Sequence, residues 1–336
     1  MNDLTARLGR KQPPRIGLGC MGMSEFYGAS DDDVSLRALA MSYEIGYRHY
    51  DTADMYGQGH NETLLGKFLA QHGPSARDNM VLASKFGIVR DPANKYHITA
   101  NGRSDYVREC CHASLRRLGV EHIDLYYLHR RDPDCPLEET LGALSRLKEE
   151  GKIGAIGLCE VSLDTLRTAH AMVKVDALQS EYSLWSRDIE HDILPACASM
   201  GIAVVAFSPL GRGFLTARID DKFMSQADPA QDLRTRLPRF QPENLEHNLA
   251  LVRQLTELST PLGITSAQLA LAWLLHKAPH LHVIPGSRTS QYLLENQAAA
   301  TLNIDAGLFA QLDTLFAPQA IAGQRYPGQI LRQSNQ

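Results

Sequence analysis

Apolar residues along the chain fall into two alternating patterns. Short β-rich runs occupy residues 16–20, 47–52, 80–85, 123–129, 153–159, 177–179, 203–207 and 281–284. After each comes a stretch whose apolar positions recur at helical spacing: 32–45, 61–71, 104–118, 136–150, 162–173, 188–200, 243–259 with 265–277, and 289–299. Start and stop signals frame several of these helices. Asp31, Asp32 and Asp33 put carboxylates at a helix N-terminus, where they cap free amides and meet the positive end of the dipole. Ser104 precedes a run with Val107, Cys110, Cys111, Leu115 and Leu118 at its apolar positions, and Gly119 follows as a stop. Pro136 sits where a first helical turn tolerates it, and Gly151 ends that helix.

Strict alternation of strand and helix predicts a parallel sheet with helical crossovers. Eight such units, at roughly 40 residues each, match a closed (β/α)8 TIM barrel of α/β class better than an open sheet. No linker, repeat boundary or low-complexity tract divides the chain, so residues 1–336 are expected to form a single barrel domain. Two segments exceed the repeat: a long loop at about 208–243, rich in Arg, Asp and Pro, and a C-terminal part at about 300–336 with a further helix at 305–316. Loops of that length are usually lids or otherwise functional.

Charge narrows the function classes. Lys and Arg number 34 against 38 Asp and Glu, a net −4 with no basic block, so nucleic acid is not an expected partner. No run approaches the length of a membrane span, and the opening MNDLTARLGRKQPPR lacks the apolar core of a secretory signal. Cys20, Cys110, Cys111, Cys135, Cys159 and Cys197 show no metal or redox spacing, nor do the histidines, so a metal-free protein of the reducing cytoplasm is expected.

Barrel active sites are built at the carboxyl ends of the strands. The second run delivers Asp51 there, with Tyr56 in the turn that follows; the third ends in Lys85 and the fourth in His129. Taken singly, Tyr56 reads as a surface tyrosine and Lys85 with Asp51 as a structural ion pair. Four such groups on adjacent strands suit reduction of a carbonyl. A phenol donates a proton to the carbonyl oxygen as hydride reaches the carbon, a neighbouring ammonium is expected to lower the phenol's pKa, the aspartate keeps that ammonium charged, and the imidazole polarises the carbonyl. A Schiff-base lyase using Lys85 is a competing reading, separable by borohydride trapping.

The run Gly46-Tyr47-Arg48-His49-Tyr50-Asp51-Thr52-Ala53, then Met55-Tyr56-Gly57 and Asn61-Glu62, resembles the first signature of the aldo-keto reductases, and Asp51, Tyr56, Lys85 and His129 fall on that family's catalytic tetrad. The pattern HRxDPxxPxEETxGAL at 129–144 resembles a bacterial and plant branch, and the likeness spans about residues 14–300. It implies a (β/α)8 barrel, NADPH bound in extended form without a Rossmann fold, a small-molecule aldehyde or ketone as substrate, and a monomer or modest homo-oligomer. Carried over position by position, the backbone of Gly19, Cys20 and Met21 approaches the nicotinamide ribose; Cys159 and Gln179, with Asp51, hold the nicotinamide end; and Phe207 stacks on its ring. Ser208, Pro209, Leu210, Gly211 and Gly213, around Arg212, wrap the pyrophosphate. Gly286, Ser287, Arg288, Tyr292, Glu295 and Asn296 form the adenosine phosphate site. Many members carry lysine at the place of Gly286 and arginine at that of Tyr292, which leaves Arg288 to bind a 2′-phosphate. Met23, Phe26, Tyr27, Met55, Phe86, Trp185 and the 212–242 loop are expected to wall the substrate pocket. Some relatives, potassium-channel β subunits among them, keep barrel and coenzyme as regulatory proteins; turnover of an aldehyde panel separates that alternative from a reductase.

Two motifs have blander readings. Gly17-x-Gly19-x-x-Gly22 matches a dinucleotide fingerprint in letters only, since no helix opens at Gly22. Cys110 and Cys111 lie within a helical pattern and read as core packing.

Overall fold

The structure, a computed structural model, describes residues 15–91 and 94–327. The polar residues before Arg15 and the tail beyond 327 lie outside the described residues. In chain order the strands are β1 (Leu18–Gly19), β2 (His49–Asp51), β3 (Val81–Phe86), β4 (Ile88–Asp91), β5 (Asn94–Ala100), β6 (Ile123–Leu128), β7 (Ile153–Cys159), β8 (Ala177–Glu181), β9 (Ala203–Phe207) and β10 (Leu281–Val283). Among the described residues, eight of them form one parallel sheet in the order β1-β2-β3-β6-β7-β8-β9-β10. Parallel bridges from Ile16 to Val283 and from Gly19 to Gly286 join its two edges and close the (β/α)8 barrel. Helices lie on the outside, from Asp32–Glu44 after β2's predecessor to Ser266–Lys277 before β10, with Ser290–Ala298 and Ala306–Leu315 completing the wrap. No single described helix is long and apolar enough to cross a membrane.

Side-chain alternation sorts the strands into two faces. Outward residues such as Leu82, Tyr126, Leu158, Leu178 and Val204 pack under the helices in the main core. Inward residues are small or slender: Ala83, Ala155, Ala177, Ala203 and Val205 fill the barrel with Leu125 and Tyr127. Gly157 is the inward position opposite Tyr127, and a Cβ there would come within 2.2 Å of that ring, so glycine is required for the ring to fit. The inward phase also carries Asp51, Lys85, Cys159, Gln179 and Phe207 to the carboxyl rim.

Two elements depart from the sequence reading. Ile88–Asp91 pairs antiparallel with Asn94–Ala100, β4 with β5, where the sequence pattern assigns no element. The long loop holds the short helix Asp221–Gln226, capped by Asp220, and 3-10 turns at Leu233–Arg236 and Pro238–Phe240.

Candidate active site

The turn that presents Tyr56 is built by its neighbours. Beyond β2 the chain keeps pairing with β3, through Thr52 N to Ala83 O at 2.9 Å and Asp54 N to Lys85 O at 3.1 Å. Gly57, Gln58 and Gly59 then take left-handed conformations in succession, which reverses the chain into the helix His60–Asp78. Gly59 has a second constraint: a Cβ there would meet the Arg117 side chain at 2.7 Å. Thr52 Oγ1 donates to Asn61 Oδ1 at 2.7 Å, and Asn61 Nδ2 donates to the carbonyl of Cys20 at 2.9 Å, tying this turn to the rim of β1. Glu62 accepts from Ser84 Oγ at 2.5 Å and from Arg117 Nε at 2.7 Å, bracing the residue beside Lys85. The roles of Thr52, Asn61 and Glu62 were not legible from spacing, although Asn61 and Glu62 stand within the quoted signature.

Lys85 is fully buried, and its ammonium donates to Asp51 Oδ1, to the carbonyl of Thr52 at 2.9 Å and to the Tyr56 hydroxyl at 3.2 Å. Gln179 Nε2 donates to the other oxygen of Asp51 at 2.7 Å. The rings of Tyr56 and His129 meet edge to face, with centroids 5.9 Å apart. Burial alone would discharge Lys85, but Asp51 and the Tyr56 phenol outweigh it and hold the ammonium above the usual lysine range. Burial, with the charges of Lys85 and Arg130, pushes His129 well below its ordinary range, so the imidazole is neutral. Burial pushes the Cys159 thiol up to about 12.

Tyr56 corrects one expectation. Lys85 does favour its phenolate, but burial is the larger effect, and the phenol is pushed up to about 12 rather than below its free value. The group is therefore a protonated donor throughout the neutral range.

A cavity of about 580 Å³ opens above these groups. Asp51, Tyr56, His129, Cys159, Gln179 and Phe207 line it at the barrel mouth, as do Gly19 and Met21. Ser208, Pro209, Leu210 and Gly213 line it from the β9 rim, and Gly286, Ser287, Arg288, Tyr292, Glu295 and Asn296 from the β10 rim. Two expected cofactor residues do not line it. The Cys20 thiol is buried in the main core, pointing to the carbonyl of Leu18 at 3.7 Å. Gly211 is pressed against Trp185, where a Cβ would fall 2.6 Å from the indole nitrogen.

The expected substrate wall divides in the same way. Phe26, Tyr27 and Met55 line the cavity. Met23 is buried in the core, Phe86 stacks on Tyr126 at 5.0 Å, and Trp185 stacks on Phe214 at 4.5 Å. The expected 212–242 loop does contribute, with Arg218 and Arg234 among its lining residues, while Ile88 on β4, Tyr326 and Arg130 line the cavity without having been singled out. Arg130 follows His129 directly at a strand end, so the rule that found His129 applies to it as well. Tyr326 carries no local signal of its place.

Arg288 is held across the mouth by the β1 loop, donating to the carbonyls of Ala29 at 2.6 Å and Tyr27 at 3.1 Å. Arg218 stacks over Tyr292 at 3.9 Å and pairs with Glu295 at 3.0 Å.

A closed parallel barrel with acid–base groups gathered at its carboxyl rim defines a TIM-barrel enzyme-type site built for proton transfer. The chain belongs to the aldo-keto reductase family: the family model described as "Aldo/keto reductase family" matches residues 15–317. Among solved structures it is similar to the glycerol dehydrogenase AKR11B4 of Gluconobacter oxydans, at 27% identity over 92% of this chain and 94% of that one, with a TM-score of 0.80. It is also similar to an aldo-keto reductase of Klebsiella pneumoniae in complex with NADPH, at 28% identity over 92% and 93% of the two chains, with a TM-score of 0.71. Aldo-keto reductases use NADP(H) and act on carbonyl compounds.

Proposed function

We propose that this chain reduces aldehydes or ketones to alcohols with NADPH, and that Tyr56 is the proton donor. The observation that carries the reading is the three-acceptor grip on Lys85, which places a permanent ammonium 3.2 Å from a phenol that opens on the cavity. An ammonium so held has no free electron pair for imine formation, which disfavours the Schiff-base reading.

The residues fit the coenzyme. Acid–base side chains move protons but have no hydride to give, and when bound NADPH supplies it. The same cavity is lined at one end by Tyr56 and His129 and at the other by Arg288, Ser287 and Asn296, with the left-handed turn at 208–213 between. The NADPH complex of the Klebsiella relative supports this assignment. Tyr56 would donate to the carbonyl oxygen, neutral His129 would hold that oxygen by a hydrogen bond, and Lys85 would stabilise the phenolate left behind. Asp51, fixed by Gln179, keeps Lys85 oriented.

NADPH oxidation against a chemically diverse panel of aldehydes and ketones tests the reading. Turnover that depends on Tyr56 supports it. Tight coenzyme binding without turnover of any compound would favour a regulatory barrel.

A further inference from the structure

Most cations around the cavity already have acidic partners. Arg212 pairs with Glu181 at 3.0 Å, Arg234 with Asp232 at 2.6 Å and Arg218 with Glu295 at 3.0 Å. Arg288 gives two of its five N–H donors to the carbonyls of Tyr27 and Ala29 and stands on the rim assigned to the coenzyme's phosphate. Arg130 differs. It lines the cavity, and its hydrogen bond among the described residues is one from Nη1 to the carbonyl of its own neighbour His129, at 3.0 Å. Within the described residues no carboxylate pairs with it: Glu160, on the adjoining rim of β7, is taken by Arg325 at 2.5 Å, and Asp132 accepts from the backbone amides of Gly102 and Asp134.

Its position points away from the coenzyme's phosphates. In the barrel order, β6 lies four places from β10, so the rim that carries His129 and Arg130 faces the rim that carries Ser287 and Arg288 across the mouth. Arg130 is also close enough to the reacting groups to act on the charge states of both His129 and Cys159. A half-buried guanidinium with no carboxylate partner is costly to leave so, and its planar fork matches a carboxylate bidentately.

We infer that Arg130 anchors the substrate, and that the carbonyl compounds this enzyme takes carry a carboxylate. The inference rests on the reductase reading above and narrows its substrate class to formyl and oxo acids with an apolar or aromatic body, suited to the neighbouring Phe26, Met55 and Ile88. In the reaction the carbonyl carbon accepts hydride from bound NADPH, its oxygen takes the Tyr56 proton, and a hydroxy acid and NADP+ result. The carboxylate is unchanged, and Tyr56 regains its proton from solvent.

The test compares 2-, 3- and 4-carboxybenzaldehyde, each against its methyl ester, under saturating NADPH. The ester is the more electron-withdrawing group, so intrinsic reactivity runs against the proposal. For at least one isomer the acid is expected to exceed its ester in kcat/KM by about ten- to a hundredfold, the size of a charge-assisted hydrogen bond. Arg130→Gln is expected to collapse that ratio towards one, and Arg130→Lys to keep part of it. Benzoate, which cannot react, is expected to compete with the aldehyde in the unaltered enzyme, a measurement that needs no variant. Acid-to-ester ratios near one for all three isomers, or a ratio that survives in Arg130→Gln, would overturn the inference. Absence of turnover of all six compounds would count against the reductase reading itself, and the inference would fall with it.

Discussion

Tyr56, Lys85 and Arg288 are the side chains through which the proposed chemistry is most directly tested. Tyr56→Phe removes the proton donor and leaves the ring in place. Turnover is expected to fall by at least 10²–10⁴-fold while coenzyme still binds by fluorescence titration. Lys85→Met is expected to be as damaging, because a buried phenolate would then form without a counter-charge, and Asp51→Asn to be milder. An active Lys85→Met enzyme would break the argument. The pH dependence follows from the burial of Tyr56. Reduction needs the protonated phenol, and a phenol pushed up to about 12 stays protonated through the neutral and mildly alkaline range. The kcat/KM for the carbonyl, at saturating NADPH, is therefore expected to be flat from about pH 6 to 9 and to fall only above that. A loss centred near neutrality, with hydride transfer limiting, would contradict a phenol held protonated by burial. Arg288 has two roles to separate. As a 2′-phosphate ligand its loss would weaken NADPH by about ten- to a hundredfold and spare NADH. As a tie to the carbonyls of Tyr27 and Ala29 its loss would weaken both coenzymes alike. Titration of each coenzyme against Arg288→Ala is expected to show the larger loss for NADPH.

The β4–β5 hairpin is the element that most changes the picture of the pocket. It lies beside the β1 loop, and the two are joined by Arg90, whose guanidinium donates to both oxygens of Glu25 at 2.8 and 2.7 Å with both groups largely buried. Phe26 and Tyr96 add a ring contact at 6.1 Å. The β1 loop is joined in turn to the long loop, through Leu233 N to Phe26 O at 2.9 Å and a bridge between Tyr27 and Asp232. Three excursions from different rims thus form one cover. Removing one member of a buried pair strands the other charge, at a cost on the order of 3–5 kcal/mol. Arg90→Ala is expected to lower the unfolding midpoint more than the double variant Arg90→Ala with Glu25→Ala, in thermal or urea unfolding. Equal losses for the single and double variants would show that the stranded Glu25 carboxylate carries no penalty of its own.

Across the whole molecule, the cavity draws on segments that are far apart in the chain. Residues after β1, β9 and β10 meet at its mouth, and the C-terminal part returns to it. There Arg325 pairs with Glu160, and the Tyr326 hydroxyl donates to Glu181 at 3.0 Å and accepts from Arg212 Nη2 at 2.5 Å. A ligand that bridges these segments binds the folded chain and not the unfolded one. NADPH at a hundred times its Kd is then expected to stabilise the fold by about 2.7 kcal/mol, a rise of a few degrees in the thermal midpoint. Melting curves with and without saturating NADPH check this, and an unchanged midpoint would count against coenzyme binding at the cavity.

The eight strand–helix units and the inward places of Asp51 and Lys85 were legible along the chain, because periods of two and 3.6 are local properties. So was the gathering of Tyr56, Lys85 and His129 on adjacent strands, since a barrel brings the carboxyl ends of its strands together. The pairing of β4 with β5 was not, because the two strands are short, half polar and pair with each other rather than with the barrel. Of the positions that resemblance assigns to the coenzyme, Cys20 was expected to offer backbone and turns its side chain into the core, and Gly211 is packed against Trp185, contacts that no neighbour in sequence reveals. Tyr326 reaches Glu181 across 145 residues, and Arg325 reaches Glu160 across 165. The protonation of Tyr56 has the same character: Lys85 can be read as its neighbour from two strand ends, but the burial that outweighs that ammonium is a sum over the whole assembled barrel.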